Sequence, residues 1–545
     1  MCSGTMTVED EFLKPLAIDS KLVLELSRDM ATTFEKLCKE SEDQFLPTPI
    51  SESIMRAGAG RKGGRFLAID IGGTNLRVGF VELVPSSKEE KSLSEAIHNG
   101  LDTVVDDDEE EESTQTRQVN RHLEQSWPIQ EYLKNENSDM LFEWIGSRIA
   151  EVVRNGCEVF SLKPTDELPM GITFSFPMEQ RSLSEATLMF MGKGFAITSN
   201  LNLGVQLLKG YEKHRTPNLL PPIRIAAISN DAVSTLVSFI HQYPAKSHQR
   251  AVMGLIVGTG CNATIPLRLS SLGPVKRPGC VSVTPGVSAD DVRIAVNTEW
   301  SINGSAPPLR RHNLITRWDK DLDRAGEVPG FQPLEYMTAG RYLGELARLM
   351  FIDYLSVARP QASLPEKLRQ RFGLTTTFIS HFYPGSPRGE ILAQLEKEFP
   401  SAVGQFKWTD EEANMLYRIS HAIEVRAAGI IAASTVALLK CAGDIPPPLP
   451  SSKTTDQTEA TTTTKELAVG YTGGCIQFFQ NYLADTQRFL DEIMGLEFGP
   501  RQQLPVRVVL APCHDGGITG AGILVPAALG SSQVAGGVLG EGHDC

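Results

Sequence analysis

No two of the nine cysteines in this 545-residue chain stand at Cys-x-x-Cys spacing, and they are scattered from Cys2 to Cys545. An odd, dispersed set argues against a disulfide framework or a zinc site and fits reduced thiols. Long hydrophobic runs are also missing. The longest apolar stretch, Ala427 to Leu439, is too short to span a bilayer. The first residues, Met1-Cys-Ser-Gly-Thr-Met6, show no basic region followed by an apolar core. No signal or transit peptide is therefore expected, nor membrane insertion, and a cytoplasmic location follows. Receptor-read addresses leave association with the mitochondrial surface or the nucleus open. Basic surplus is absent: the formal net charge is −14, and the run Asp106 to Glu112 carries half of it. A duplex nucleic-acid binder needs the opposite sign, so no nucleic-acid contact is expected. No segment repeats at solenoid spacing.

What is present is the composition of a globular protein, 41% apolar and 22% charged, in a chain too long for one ordinary core. Residues 8 to 42 carry a helical period through Phe12, Leu16, Leu22, Leu26, Met30, Phe34 and Leu37. Residues 46 to 64 read as a connector, 85 to 125 as a disordered acidic insertion, and 444 to 465 as a Pro- and Ser/Thr-rich low-complexity insertion. Strands are expected at 66–70, 76–83, 172–176, 223–228, 252–257 and 506–510. Helices are expected at about 139–156, 335–355 and 412–440. The result is an α/β chain in which carboxylates and glycine turns recur at strand ends, where such sheets place their ligands.

Five segments carry chemistry. In Asp70-Ile-Gly72-Gly73-Thr74-Asn75-Leu-Arg77 two glycines let backbone N–H groups approach phosphate oxygens, and Thr74 and Asn75 add donors. Asp70, at the strand end, suits a Mg²⁺ ion held through water. A hairpin follows, not the strand-to-helix start of a dinucleotide fold. Gly258-Thr259-Gly260-Cys261-Asn262 is a second strand-delivered loop, and two such loops can clamp a polyphosphate from opposite sides. Ser229-Asn230-Asp231 puts a carboxylate at a strand end, where either a site or a plain helix cap explains it. Gly171 to Pro177, with Ser175, and Gly192-Lys193-Gly194 offer polyol-bonding groups, and Lys193 could steady negative charge. Glu299 and Glu335 are carboxylates of the kind that accept bonds from vicinal hydroxyls.

These segments, in this order, resemble the hexokinase family, of the eukaryotic hexokinase and glucokinase type. The quoted runs are Leu67 to Val78, Phe174-Ser-Phe-Pro177, Lys193-Gly-Phe195, Asn230-Asp231, Gly258 to Asn262, Glu299-Trp300 and Gly340 to Glu345. The resemblance implies a two-domain actin-like ATPase (ribonuclease H-like) α/β fold closing over a cleft. It divides the chain into an N-terminal helical segment (1–62) on the large domain, a small domain (63–225), a large domain (226–516), and a C-terminal helix and tail (517–545) returning to the small domain. It implies ATP and Mg²⁺ as cofactors, the ion held mainly by the ATP phosphates, and a hexose as substrate. Position by position it implies Asp231 as the base and Lys193 as the lysine steadying developing charge. Ser175, Asn230, Asn262, Glu299 and Glu335 match sugar ligands. Asp70, Gly72, Gly73, Thr74 and Asn75 match the first phosphate loop and Gly258, Thr259 and Gly260 the second, with Gly473, Gly474, Asp515 and Gly516 on the nucleotide side.

Departures from the family pattern fall at particular positions. Gly192 stands where the family has Thr, and Ala232-Val-Ser234-Thr where it has Thr-Val-Gly-Thr. Tyr471-Thr-Gly473-Gly474 lacks the Asp and the Ser of the adenosine segment, and Asp515-Gly-Gly517 lacks a Ser. The expected activity is hexose 6-phosphorylation by ATP, the first step of glycolysis. The alternative is a catalytically weak or inactive sugar-sensing regulator, with protein partners reached through the acidic insertion.

Overall fold

The computed structural model describes residues 7–57, 63–84, 118–130, 132–133, 138–189, 201–243, 248–286, 292–382, 386–400, 407–447, 464–499 and 504–535. Two sheets share one plan. In the five-stranded sheet the spatial order is Val119–Pro128, Asn75–Leu83, Gly64–Ile71, Leu168–Phe174 and Ile223–Ser229. The first three pair antiparallel and the last two join in parallel. The eight-stranded sheet repeats this order with Arg293–Asn297, Cys261–Arg268, Gln249–Val257, Lys465–Thr472 and Val506–Pro512. It continues beyond Arg293–Asn297 through Leu46–Ser51, Cys280–Val283 and Ser532–Ala535. In each sheet the opening hairpin carries one of the predicted loops: Asp70 pairs with Arg77 across the first, and Cys261 with Val257 across the second.

Apolar periodicity explains the helices. Ser20–Glu40 buries Val23, Leu26, Met30 and Phe34 on one side and is capped by Asp19, which accepts from the Leu22 N–H at 2.8 Å. It packs along Asp410–Cys441, whose alanine face lets the two backbones approach. Asp410–Cys441 extends well past the run at 427–439. By length and composition it could cross a bilayer, yet it is almost wholly buried in the large core.

Two helices form the seam between the sheets. Asp231–Gln242 lies on the eight-stranded sheet and Gly516–Leu529 on the five-stranded one, and they touch where a Cβ on Gly520 would stand 2.2 Å from the Ser234 carbonyl. Their apolar residues Val233, Leu236, Val237, Ile518, Ala521 and Leu524 make a third core, separate from the two domain cores. The two helices start side by side: Thr173 Oγ1 donates to the Gly517 carbonyl at 2.8 Å and lies 2.5 Å from Ser234 Oγ. This is the two-domain actin-like plan.

Four readings need correction. The connector at 46–64 contains a strand, Leu46–Ser51, because all of it but Pro47 is buried between Arg293–Asn297 and Cys280–Val283. The insertion at 85–125 ends earlier: residues 119–125 belong to the strand Val119–Pro128, which edges the small sheet through register with Asn75–Leu83. At 444–465, Asp444 is a buried anchor for Arg250 (2.8 Å) and Arg293 (3.1 Å), and Lys465 begins a strand. Beyond the C-terminal helix the chain runs to the large sheet, not the small one, pairing Ser532–Ala535 with Cys280–Val283. The acidic run itself lies outside the described residues, as does most of the low-complexity segment.

Candidate active site

A cavity of about 460 Å³ opens between the sheets. Gly73 and Thr74 of the first loop and Thr259 and Gly260 of the second line it, with Ser175, Asn230, Asp231, Asn262, Glu299 and Glu335. All five sugar-ligand candidates thus line one cavity, together with Asp231. Lys193 lies outside the described residues, with Gly192 and Phe195.

Each loop is closed by its own backbone. The Gly72 N–H donates to the Asn75 carbonyl at 2.9 Å, and the Gly258 N–H to the Gly260 carbonyl at 2.9 Å. Glu335 is buried and reaches the second loop, accepting from the Cys261 N–H at 3.1 Å. Glu299 Oε1 accepts from Asn262 Nδ2 at 3.1 Å and Asn297 Nδ2 at 2.9 Å. Asn262 Nδ2 also donates to Asn297 Oδ1 at 2.9 Å, so the two amides and the carboxylate form one hydrogen-bonded cluster. Glu299 holds φ 43°, a left-handed conformation rare for this residue type.

The two explanations of Asn230-Asp231 divide between its residues. Asn230 is the helix cap, accepting from the Ala232 N–H at 2.9 Å. Asp231 is the first helical residue and lines the cavity, with Oδ1 accepting the same N–H at 2.8 Å. Ser234, which stands where the family has Gly, is fully buried and bonds to Ser229 Oγ at 2.6 Å as well as to Thr173. The changed packing behind Asp231 is therefore a hydroxyl network.

At the far end of the first loop, Asp515 sits at φ 52° and is gripped by Arg77 (2.7 Å) and Arg121 (2.8 Å). Burial pushes its carboxyl up, but the two guanidiniums prevail and hold it below the usual range. Asp70 goes the other way. Burial raises it to about 7; Arg77 opposes this, and the carboxylates of Asp231, Glu124 and Asp515 add to it. A Cβ at Gly517 would stand 2.5 Å from the Asp70 carboxylate, so the start of the C-terminal helix presses directly on the first loop's strand end. On the nucleotide side Gly473 has φ 117° and a Cβ there would meet the Val257 carbonyl at 2.3 Å. The Gly473-Gly474 turn thus presses on the base of the second loop.

Repelling carboxylates around Asp70 are a setting that a divalent cation relieves. Among the described residues no cluster of three or more His, Cys, Asp or Glu could hold a metal alone. A Mg²⁺ here would take most of its ligands from phosphate oxygens and water, as this ion prefers.

Asp70 gives a pH prediction. Its folded pKa of about 7 lies above the ordinary value of 3.8, so the folded state holds the extra proton between those values. The contribution to stability is therefore lost as pH rises through that window and is missing above it. Asp70→Asn should raise the melting temperature more at pH 8 than at pH 5. Equal gains at both pH values would show that the carboxylate is not penalised by burial.

Sequence reasoning missed Arg121, because it lies in the stretch read as disordered, and Gln44, whose buried amide donates to the Glu299 carbonyl at 2.9 Å. No motif marks either residue. Only the register of the edge strand and the turn after the first long helix bring them to the site.

The comparisons with known proteins agree with this geometry. Two family models, both described as hexokinase, match residues 8–241 and 252–527. Hexokinase-2 of Equus caballus is 27% identical over 370 residues, covering 68% of this chain and 34% of that protein. The chain thus spans about a third of that relative's length. Hexokinase-1 of Nicotiana tabacum is 25% identical over 473 residues, 85% of this chain and 80% of its own. Among solved structures, a Schistosoma mansoni hexokinase complexed with glucose superposes with a TM-score of 0.69 at 22% identity, covering 96% of this chain and 98% of that one.

Proposed function

Since the chain belongs to the hexokinase family, we propose that it transfers the terminal phosphoryl group of MgATP to the 6-hydroxyl of a hexose, with glucose first and fructose or mannose as further acceptors. The observation that carries this reading is the meeting, in one cavity, of both glycine loops with Ser175, Asn230, Asp231, Asn262, Glu299 and Glu335.

In this reading Glu299, Glu335, Asn230 and Asn262 accept and donate bonds to the sugar hydroxyls, and Ser175 adds one from the small domain. Asp231 takes the proton of the attacking hydroxyl. Gly72, Gly73, Thr74 and Asn75 on one side and Gly258, Thr259 and Gly260 on the other hold the phosphates, with Gly473, Gly474 and Gly516 beside the nucleotide. Lys193 steadies the developing charge. Phosphoryl transfer passes through a loose transition state, so positioning and charge neutralisation do most of the work. The cation, when bound, neutralises phosphate oxygens. Closure of the domains excludes water, which would otherwise compete as acceptor.

A second reading is favoured by one observation, the Thr472-Gly473-Gly474 turn without Asp or Ser. It is a sugar-sensing regulator that keeps the pocket and has little turnover. One pair of measurements separates the two. The enzyme predicts hexose-dependent ADP release and a melting temperature raised by millimolar glucose, lost in Glu335→Ala. The sensor predicts the thermal shift without ADP release. If no hexose moves the melting temperature or drives ADP release, both readings fall.

A further inference from the structure

We propose that Lys276 is a positioning residue for the sugar end of the cleft, locking the Asp43–Gln44 turn onto the loop that carries Glu299. The inference rests on the hexose reading above. Lys276 belongs to none of the predicted motifs; it lies in the short turn Pro274–Lys276. Its Nζ donates to the Gln44 carbonyl at 2.6 Å and to the Leu37 carbonyl at 3.1 Å. Leu37 is in the last turn of Ser20–Glu40, where a cation is favoured, and its carbonyl accepts from the Ser41 N–H at 3.1 Å as well as from the lysine. One ammonium therefore ties the end of that helix to the turn after it.

Gln44 passes the constraint on. It is buried, and its Nε2 donates to the Glu299 carbonyl at 2.9 Å and to Ser305 Oγ at 3.2 Å. Next to it the Phe45 N–H donates to the Thr298 carbonyl at 2.9 Å. Phe45 (φ 53°) and Glu299 (φ 43°) are both left-handed without being glycine. Such conformations persist only where the surroundings over-determine them. Here two strained residues face each other, and the bonds between their segments run through Gln44 and Phe45. Asp43 of the same turn lines the cavity.

An ion-pair role does not explain the lysine. The titratable group bearing on it is the buried Cys38 thiol, itself pushed up to about 12, and burial brings Lys276 down to about 8. What the side chain does is donate to two carbonyls.

The test uses the full chain. Lys276→Met keeps the stem and removes the donors; Lys276→Arg keeps donors and charge. Glucose affinity is read by calorimetry without nucleotide. Lys276→Met should weaken it roughly tenfold, the scale of one lost hydrogen bond, and Lys276→Arg should recover most of it. The rate at saturating glucose and the KM for ATP should hardly move, because only ground-state sugar binding is touched. Amide exchange without sugar should accelerate in Lys276→Met at residues 43–45 and 298–299. Unchanged glucose affinity in Lys276→Met overturns the inference, whatever the exchange does. If that variant does not fold, Gln44→Met breaks the same relay and must show the same loss of affinity, or the inference falls. If the wild type binds no hexose, the hexose reading has failed, and exchange alone decides: acceleration confined to those two segments supports the lock, and unchanged exchange overturns it.

Discussion

Asp231→Asn should lower hexose-dependent ADP release by about 10²–10⁴-fold, the range for losing a general base, while glucose still raises the melting temperature. A sugar hydroxyl is a poor nucleophile, and its proton must leave as the bond to phosphorus forms. Asp231 lines the cavity from the first turn of Asp231–Gln242, with Asn230 on one side and Asn262, Glu299 and Glu335 around the same space. The substitution keeps the shape and removes the basicity. The cap is not disturbed, since Asn230 provides it through the Ala232 N–H. A variant retaining the wild-type rate within a few-fold would assign Asp231 to structure alone.

Arg426→Met should cost about 3–5 kcal/mol of folding stability, the usual price of leaving one member of a buried ion pair alone. Arg426 is fully buried in the long helix Asp410–Cys441 and grips Asp319 with both ends of its guanidinium, at 2.7 and 2.9 Å. It also donates to the Leu314 carbonyl at 3.1 Å. Asp319 is itself buried and accepts from the Thr316 N–H and hydroxyl, so it cannot swing to water once the arginine is gone. Urea unfolding reads the loss. Replacing both partners, Asp319→Leu with Arg426→Met, should cost less than Arg426→Met alone, because no charge is then stranded. A single-variant loss below about 1 kcal/mol would mean that water reaches the pair.

The two hairpin loops were legible because their chemistry is local. Each needs a buried strand, two glycines and a return strand, and all three stand in one contiguous stretch, Gly64 to Leu83 for the first and Gln249 to Arg268 for the second. The same holds for Asn230-Asp231, where strand end, cap and helix are contiguous. Arg121 and Gln44 were not legible, because their roles depend on pairing partners far along the chain. Arg121 reaches Asp515 only through an edge strand after a long polar stretch, and Val119–Pro128 is itself mostly polar and only partly buried, so no apolar pattern marks it. Leu46–Ser51 was obscured by its two prolines, which an inner strand would not tolerate under the usual rule. It keeps its place through partners on both sides, parallel to Cys280–Val283 and antiparallel to Arg293–Asn297 with a register irregularity. The absent serine before Ile518 looked like a lost nucleotide contact in the sequence. In three dimensions that position lies against the Asp70 carboxylate, a neighbour that the sequence order does not show.

The nesting of the two sheets sets an order for folding during synthesis. All five strands of the small sheet lie between residues 64 and 229, so they can pair as soon as that stretch has left the ribosome. The large sheet is interleaved around it: Leu46–Ser51 waits for Cys280–Val283 and Arg293–Asn297, and Lys465–Thr472 and Val506–Pro512 arrive much later. The face of the small sheet that Gly516–Leu529 covers stays open throughout that interval, and the last described strand, Ser532–Ala535, finishes the opposite edge of the large sheet. Both halves are therefore sealed by one late segment. A nascent chain stopped before residue 516 would hold a formed but uncovered small sheet, and it is such a chain, not the finished one, that a chaperone would have to hold.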